Sequence, residues 1–155
     1  ILMYDFPEKL RKQRNKLRSK LIDLGFGSPQ ESILITPLPL YQVSQELIEG
    51  EEVEKFTWVV KAKRVLGLAN CAVAEKAWEL NGLNSLYLRL IEALSKIKSG
   101  GDKDLLRQWQ EYFLALNAAD PYLPFELLPK DWAGEECKKM FTKFSLKDIL
   151  ISIFK

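Results

Sequence analysis

Apolar and polar positions follow two different periods along the chain, and the period changes near residue 66. Before that point, short apolar runs and alternating stretches are interleaved with two helical patterns. From Gly67 onward the apolar residues recur with a period of about 3.6, which is typical of helices. We therefore predict an α+β protein with two domains, residues 1–66 with strands and helices and residues 67–155 mostly α-helical.

The first domain has the pattern β, α, β, β, α, β. Its predicted elements are a strand over 1–6, a helix over Lys9–Leu24, two short strands or one bent strand over 26–36, a helix over Leu40–Glu49 and a strand over 55–63. Gly25 follows the first helix, where a left-handed glycine often ends a helix. This order predicts a ferredoxin-like antiparallel sheet with two helices on one face.

The alternation within the strands predicts which side chains share a face of the sheet. In the last strand we expect Trp58 to face the core. Leu34 and Val59 are expected on the face that the two helices leave bare. Such a face is solvated, covered by another domain or used for dimerisation, and two apolar residues there disfavour full solvation.

In the second domain, wide apolar stripes predict a series of helices. They span about Ala69–Leu80, Leu83–Ile97, Lys103–Asn117, 134–144 and 146–154. Ser145 is predicted to separate the last two. A proline-rich connection over 120–132 is predicted to be stiff and extended, since proline fixes φ and lacks a donor.

Charge is nearly balanced over the whole chain, at +2, but it is strongly segregated. Residues 9–20 contain seven bases and no acid: Lys9, Arg11, Lys12, Arg14, Lys16, Arg18 and Lys20. Residues 46–54 contain five acids and no base. The basic helix is therefore a candidate for contact with nucleic acid or another anion. The alternative is a solvated helix face that meets the acidic segment within the chain or across a dimer.

Catalytic and metal-binding residues are scarce. The chain has no histidine and only two cysteines, Cys71 and Cys137, which fits a reducing cytosol better than a disulfide framework. Asp5, at the end of the first strand, is the one candidate for a catalytic or metal-binding carboxylate, with a symmetry mate supplying a second one. The simpler interpretation, which we favour, is a helix cap. No cofactor is implied.

The four tryptophans, Trp58, Trp78, Trp109 and Trp132, fall at positions that predict packing anchors. An alternative is that some of them line an effector cleft. The sequence contains neither a membrane-spanning apolar run nor a signal peptide, so we expect a cytoplasmic protein without a membrane partner. Because the sequence begins inside an apolar strand, we also expect residues to precede Ile1.

Several motifs resemble the PaaX family, the repressors of phenylacetic acid degradation operons and their relatives. The motifs are Tyr4-Asp5-Phe6-Pro7-Glu8 followed by Arg11, Arg14, Leu17, Leu21 and Leu24-Gly25-Phe26-Gly27; Ile33-Leu34-Ile35-Thr36-Pro37; Ala77-Trp78-Glu79-Leu80 with Leu83 and Tyr87; and Asp120-Pro121-Tyr122-Leu123-Pro124 with Leu127-Leu128-Pro129, Asp131-Trp132 and Gly134. The last of these is the longest and most specific. The sequence departs from the family where Ala133 replaces a frequent proline and where 33–35 replaces a tryptophan-containing strand.

The resemblance implies properties that residue spacing does not. Family members are similar to homodimeric repressors that read operator DNA through an N-terminal winged helix-turn-helix, a domain absent from this sequence. The best-known members are released from DNA by an acyl-CoA, phenylacetyl-CoA. Their middle domain resembles the ferredoxin-like endonucleases of CRISPR spacer acquisition. We therefore expect the dimerisation and effector-sensing part of a PaaX-like repressor, not an enzyme; the alternative is a metal-dependent nuclease with Asp5 at the dimer axis.

Overall fold

The computed structural model describes residues 1–63, 67, 69–96 and 103–153. Over these residues it is an α+β structure, as the sequence predicts, with one four-stranded antiparallel sheet and six α-helices. The chain divides into two compact units: unit 1 is Ile1–Glu79 with Pro121–Leu128, and unit 2 is Leu80–Asp120 with Pro129–Lys155. The domain boundary near residue 66 stays a prediction.

Unit 1 contains the sheet and three helices. Its elements are β1 (Leu2–Tyr4), α1 (Arg11–Asp23), β2 (Gly27–Gln30), β3 (Ile33–Ile35), α2 (Tyr41–Ile48), β4 (Thr57–Val59) and α3 (Asn70–Trp78), with 3₁₀ turns at Glu8–Leu10, Glu54–Phe56 and Phe125–Leu127. α1 ends before Gly25, whose φ of +90° confirms the predicted left-handed glycine. β4 is shorter than the predicted strand because a 3₁₀ turn occupies residues 54–56.

The strands lie in the order β2-β3-β1-β4, and every neighbouring pair is antiparallel. β1 is central: Leu2 pairs with Leu34 and Val59, and Met3 pairs with Ile33 and Trp58. The core of unit 1 is built from the buried side chains Leu2, Tyr4, Phe6, Leu10, Leu17, Leu21, Phe26, Leu34, Ile48 and Val53. Through these residues, α1 and α2 pack against one face of the sheet.

Three predictions about the faces of the sheet are wrong. Val59, predicted on the bare face, packs against the core and pairs with the buried Leu2. Trp58, predicted to face the core, is 55% exposed, whereas Leu34, predicted on the bare face, is completely buried in the core. Thr57 is the buried neighbour of Trp58, and its Oγ1 donates to the carbonyl of Val53 at 2.8 Å. The two-residue period correctly divides the residues of a strand into two sets, but it does not determine which set faces the helices.

Unit 2 contains α4 (Leu80–Ser95), α5 (Lys103–Ala119) and α6 (Gly134–Ile153). Its core consists of the buried residues Leu83, Tyr87, Leu90, Leu94, Phe113, Leu116, Ala133 and Cys137. The two predicted final helices are one continuous helix, since serine is only mildly unfavourable inside a helix and Ser145 does not interrupt it.

The break between α3 and α4 also differs from the prediction. The sequence indicates a gap between Leu80 and Leu83, next to Gly82. Instead, Glu79 adopts a left-handed conformation with φ of +53°, and Gly82 lies inside α4. Glu79 still donates its backbone N–H to the carbonyl of Glu75 at 2.8 Å, so the turn terminates α3 without losing that bond.

Candidate functional site

A largely apolar cavity of about 270 Å³ opens in unit 1. Ile35 of β3 and Val73, Ala74 and Trp78 of α3 line it together with Leu127. Polar groups are few, and the additional lining residues Thr36, Lys63 and Asn70 contribute them. An apolar cavity with a small number of polar groups is the usual form of a small-molecule site.

Trp78 is held in this cavity wall by the turn at the end of α1. Its Nε1 donates to the carbonyl of Gly25 at 3.3 Å. α3 packs against β2, and the indole lies directly over Gly27. Gly25 therefore accepts the hydrogen bond of the indole, and Gly27, which has no side chain, leaves the space that the indole ring occupies.

A second cavity of about 360 Å³ adjoins the first and shares Thr36, Pro37 and Ala62 with it. Tyr41 and Lys61 also line it, and the Nζ of Lys61 lies 4.3 Å from the centre of the Tyr41 ring. This cation–π contact keeps a positive charge at the cavity wall. Lys61 and Lys63 thus supply cationic groups beside apolar space.

The seven bases of residues 9–20 lie in α1 and the 3₁₀ turn before it. Arg14 and Arg18 are half-buried, whereas Lys9, Arg11, Lys12, Lys16 and Lys20 are exposed. Arg11 makes an exposed ion pair with Glu8 at 3.5 Å. A pair this exposed contributes little stability, so the helix keeps most of its positive charge.

The arginines influence a buried phenol in β1. Tyr4 donates its hydroxyl to the carbonyl of Glu31 at 2.6 Å. The pKa of Tyr4 is raised, mainly by burial, although the nearby Arg18 and Arg14 guanidiniums act in the opposite direction. Arg14 and Arg18 therefore lie on the side of α1 that faces the end of β1.

The four tryptophans are divided between the two units, with two in each. Trp58 and Trp78 belong to unit 1, and only Trp78 lines a described cavity. Trp109 and Trp132 pack against the core of unit 2, where Trp132 makes an edge contact with Tyr87 at 5.5 Å between ring centres. An effector cleft lined by all four stays a prediction.

Asp5 is exposed at the end of β1. Its backbone N–H donates to the carbonyl of Phe56 at 2.9 Å. The predicted helix cap is not formed, because Pro7 occupies the N-cap position of the following 3₁₀ turn and no side-chain bond caps that turn. Within the described part of the chain, no three or more Cys, Asp or Glu side chains converge as metal ligands.

Unit 2 contains a buried polar network that the sequence analysis did not identify. Asp120, almost fully buried, accepts from the Tyr87 hydroxyl at 3.0 Å and pairs with Lys138 Nζ at 3.2 Å. Burial lowers the pKa of Lys138, but Asp120 and then Glu135 outweigh it, and the net pKa is raised. The Asp-Pro motif at Asp120 was the available signal, and its partners on α4 and α6 were not visible in the local sequence.

A buried asparagine fixes the segment before α6. Asn84 Nδ2 donates to the carbonyl of Asp131 at 3.1 Å, and Asn84 Oδ1 accepts from the backbone N–H of Ala133 at 2.7 Å. Both bonds satisfy polar atoms that burial would otherwise leave unpaired. The Asp131-Trp132-Ala133 segment of the family motif is therefore held by α4.

Unit 1 is thus an α+β unit with an apolar cavity and a basic helix, and unit 2 is helical. Residues 1–74 match the PaaX protein central Cas2-like domain, and residues 78–147 match the PaaX-like protein C-terminal domain. The chain belongs to the PaaX family of transcriptional regulators.

Among solved structures, the chain is similar to the uncharacterized protein Rv0674 from Mycobacterium tuberculosis. The TM-score is 0.68 at 23% identity, over 94% of this chain and 58% of that one. The chain therefore spans little more than half the length of that protein, and the likeness supports the fold alone. Comparison with curated proteins gives no match. None of the helices in the described residues is long and apolar enough to cross a membrane.

Proposed function

We propose that this chain is the dimerisation and effector-sensing part of a PaaX-like transcriptional repressor. In this proposal it acts in the cytoplasm, and operator DNA is read by an N-terminal domain outside the given sequence. Membership of the PaaX family supports the regulatory class. The observation that supports effector sensing is the apolar cavity beside Trp78, which has Lys63 among its lining residues.

The effector we propose is an acyl-CoA or another small anionic metabolite. The cavity of about 270 Å³ and its neighbour of about 360 Å³ suit the apolar part of such a molecule. Lys61 and Lys63 suit its negative groups, because a flexible ammonium is a common partner for phosphates. The phosphates of a CoA thioester would remain outside the apolar lining.

A thermal-shift screen of CoA thioesters tests effector sensing. A ligand that binds the folded state alone, at 100 times its Kd, adds about 2.7 kcal/mol of stability. We expect Val73→Phe, which fills the cavity, to abolish the shift. Val43→Phe is the matched control, since Val43 is exposed on α2 and lines neither cavity. No shift with any thioester, or equal shifts in both variants, would reject the cavity as an effector site.

We propose that the sheet face opposite α1 and α2 contributes to the dimer. Ile33, Met3 and Trp58 are paired across three neighbouring strands, and Trp58 is exposed. α3 covers the β2 end of this face, where Trp78 lies over Gly27, and exposed apolar side chains beyond it favour association with another surface. The element order and the strand order β2-β3-β1-β4 support a ferredoxin-like assignment for this unit.

Light scattering after size-exclusion chromatography tests the dimer. We expect Trp58→Glu to shift the protein to monomer, because a carboxylate in an apolar interface must be desolvated. Leu114→Glu is a matched change at another exposed apolar residue, on α5, and should leave the dimer intact. A monomeric wild type, or a dimeric Trp58→Glu variant, would contradict the proposed face.

The nuclease alternative has a separate test at Asp5. Nucleic acid is incubated with the chain and Mg²⁺ or Mn²⁺, and with the Asp5→Ala variant. The regulator proposal predicts equal, background cleavage for both proteins. Metal-dependent cleavage that disappears in Asp5→Ala would favour the enzyme.

A further inference from the structure

The bases of α1 are sorted by type onto two sides of the helix. Arg11, Arg14 and Arg18 follow spacings of three and four and therefore share one side. Lys12, Lys16 and Lys20 follow a spacing of four and share the other side. We call these the arginine face and the lysine face. The buried Leu17 and Leu21 lie between them on the inner surface of the helix.

Part of the lysine face lies near one acidic side chain of the same unit. Lys16 and Lys20 share a small cavity of about 80 Å³ with Glu51. Glu51 belongs to the acidic segment 46–54, which contains five glutamates. Opposite charges at this proximity reduce the positive potential that the lysines present to a ligand.

On the arginine face, the ion pair of Arg11 with Glu8 compensates only the N-terminal end. Among the described residues, neither Arg14 nor Arg18 has a carboxylate within 4.0 Å, although both are half-buried. Arg18 also lines an open depression of about 380 Å³ with Asn15, Ser19 and Ile22. Arg14 Nε lies 3.4 Å from Asn15 Oδ1, which leaves the Asn15 amide nitrogen available as a donor.

We propose that the arginine face of α1 binds phosphate groups through Arg14, Arg18, Asn15 and Ser19. A guanidinium presents paired donors that fit two oxygens of one phosphate, and an amide and a hydroxyl add neutral donors. Arg14 and Arg18 are half-buried, so both guanidiniums are less free than those of exposed arginines before a ligand arrives. This site goes beyond the dimer and the effector cavity. The phosphate comes either from the DNA backbone or from a phosphorylated small molecule.

The first experiment measures binding of a fluorescent duplex DNA as a function of salt concentration. Arg14→Gln/Arg18→Gln is compared with Lys16→Gln/Lys20→Gln, which removes the same charge from the same helix. We expect the arginine variant to lose about tenfold or more in affinity and to reduce the slope of log K against log salt by roughly 2. The lysine variant should stay within about threefold of wild type.

The second experiment uses pyrophosphate and CoA as small phosphate probes, measured by calorimetry. Arginine-dependent binding of these probes without DNA binding identifies a small molecule as the source and supports the site. DNA binding with the same arginine dependence identifies the backbone. If both variants lose equal affinity for every probe, or if no probe binds, the proposal is wrong.

A further variant guards against unfolding of the arginine mutant. Asn15 is exposed, so Asn15→Asp adds a negative charge beside Arg18 while both arginines remain. It should weaken phosphate binding as the arginine variant does, at an unchanged melting temperature. Unaltered affinity in Asn15→Asp would also overturn the proposal. The cavity variants serve the separate test of effector sensing, so the two proposals fail independently.

Discussion

The indole of Trp78 occupies the space where a side chain at Gly27 would lie. A Cβ added at Gly27 would stand 2.5 Å from Trp78 Cδ2 and 2.8 Å from Ala77 Cβ. Real Cβ atoms do not approach other atoms so closely. The φ of Gly27 is not positive, so close approach, and not a left-handed backbone, is what requires glycine.

Gly27→Ala is therefore expected to destabilise the protein by about 1–3 kcal/mol, as overpacking of a well-filled site generally does. Gly82→Ala is the control: Gly82 lies inside α4 with nothing within 4 Å of an added Cβ. The control should gain about 0.5–1 kcal/mol from helix propensity. Urea unfolding measures both. Equal midpoints for the two variants would show that Trp78 is not seated on Gly27.

The helix and strand order was predictable because periodicity is local. The face assignments of Trp58 and Leu34 were not, since each strand has two equivalent sides until a helix covers one. The break at Glu79 was missed because Gly82 is the stronger local signal. The division of α1 into an arginine and a lysine face follows from the spacing of its bases and could have been predicted.

The cavity could not have been predicted from local sequence. Ile35, Val73, Trp78 and Leu127 line it, and they come from three distant parts of the chain. A pattern of apolar residues at helical spacing shows that a side chain is buried or half-buried. It does not show which side chains leave space between them.

Asp120→Ala should cost about 2–4 kcal/mol, because it leaves Lys138 half-buried and removes the carboxylate acceptor of Tyr87. Asp120→Asn, which keeps an acceptor without the charge, should be intermediate. Glu135→Ala is the control, since Glu135 is exposed and lies 3.4 Å from the same ammonium; it should cost less than about 1 kcal/mol. Thermal unfolding would contradict the buried network if Asp120→Ala and Glu135→Ala behaved alike.

Ala133→Pro would restore the family's frequent residue but remove the N–H that donates to Asn84 Oδ1 at 2.7 Å. We expect a loss of about 1–3 kcal/mol, the cost of an unpaired buried acceptor. Ala133→Gly keeps the N–H and is the control for the lost methyl group. In an Asn84→Ala background, Ala133→Pro should cost markedly less. An additive double-mutant cycle would show that the hydrogen bond does not explain this departure from the family.

Stability should fall in alkaline solution because of Cys137. Burial, and then Glu136, raises the pKa of this thiol from 9.0 to about 11, although Lys138 acts in the opposite direction. As pH rises, the thiol ionises at a lower pH in the unfolded protein than in the folded protein. Its contribution to the free energy of unfolding is therefore complete below pH 9.0 and is lost as pH approaches about 11. The loss is at most about 2–3 kcal/mol.

Urea midpoints at several values between pH 8 and pH 11 measure this effect. Cys137→Ala should be less stable at pH 8 and should show a flatter decline as pH rises. The net pKa of Lys138 is raised above the ordinary lysine pKa of 10.5. Its contribution to the free energy of unfolding is therefore complete below pH 10.5 and is lost only as pH rises further. A decline of equal steepness in Cys137→Ala would exclude the thiol as its cause.

The assignment of Pro121–Leu128 to unit 1 bears on how the chain folds during synthesis. α3 packs against the 3₁₀ turn at Phe125–Leu127, and Leu127 completes the cavity wall that α3 begins. A nascent chain that has reached only Glu79 therefore lacks part of its first unit. That unit is completed only after α4 and α5 have been translated, so the first unit to begin folding cannot finish before most of the chain has left the ribosome.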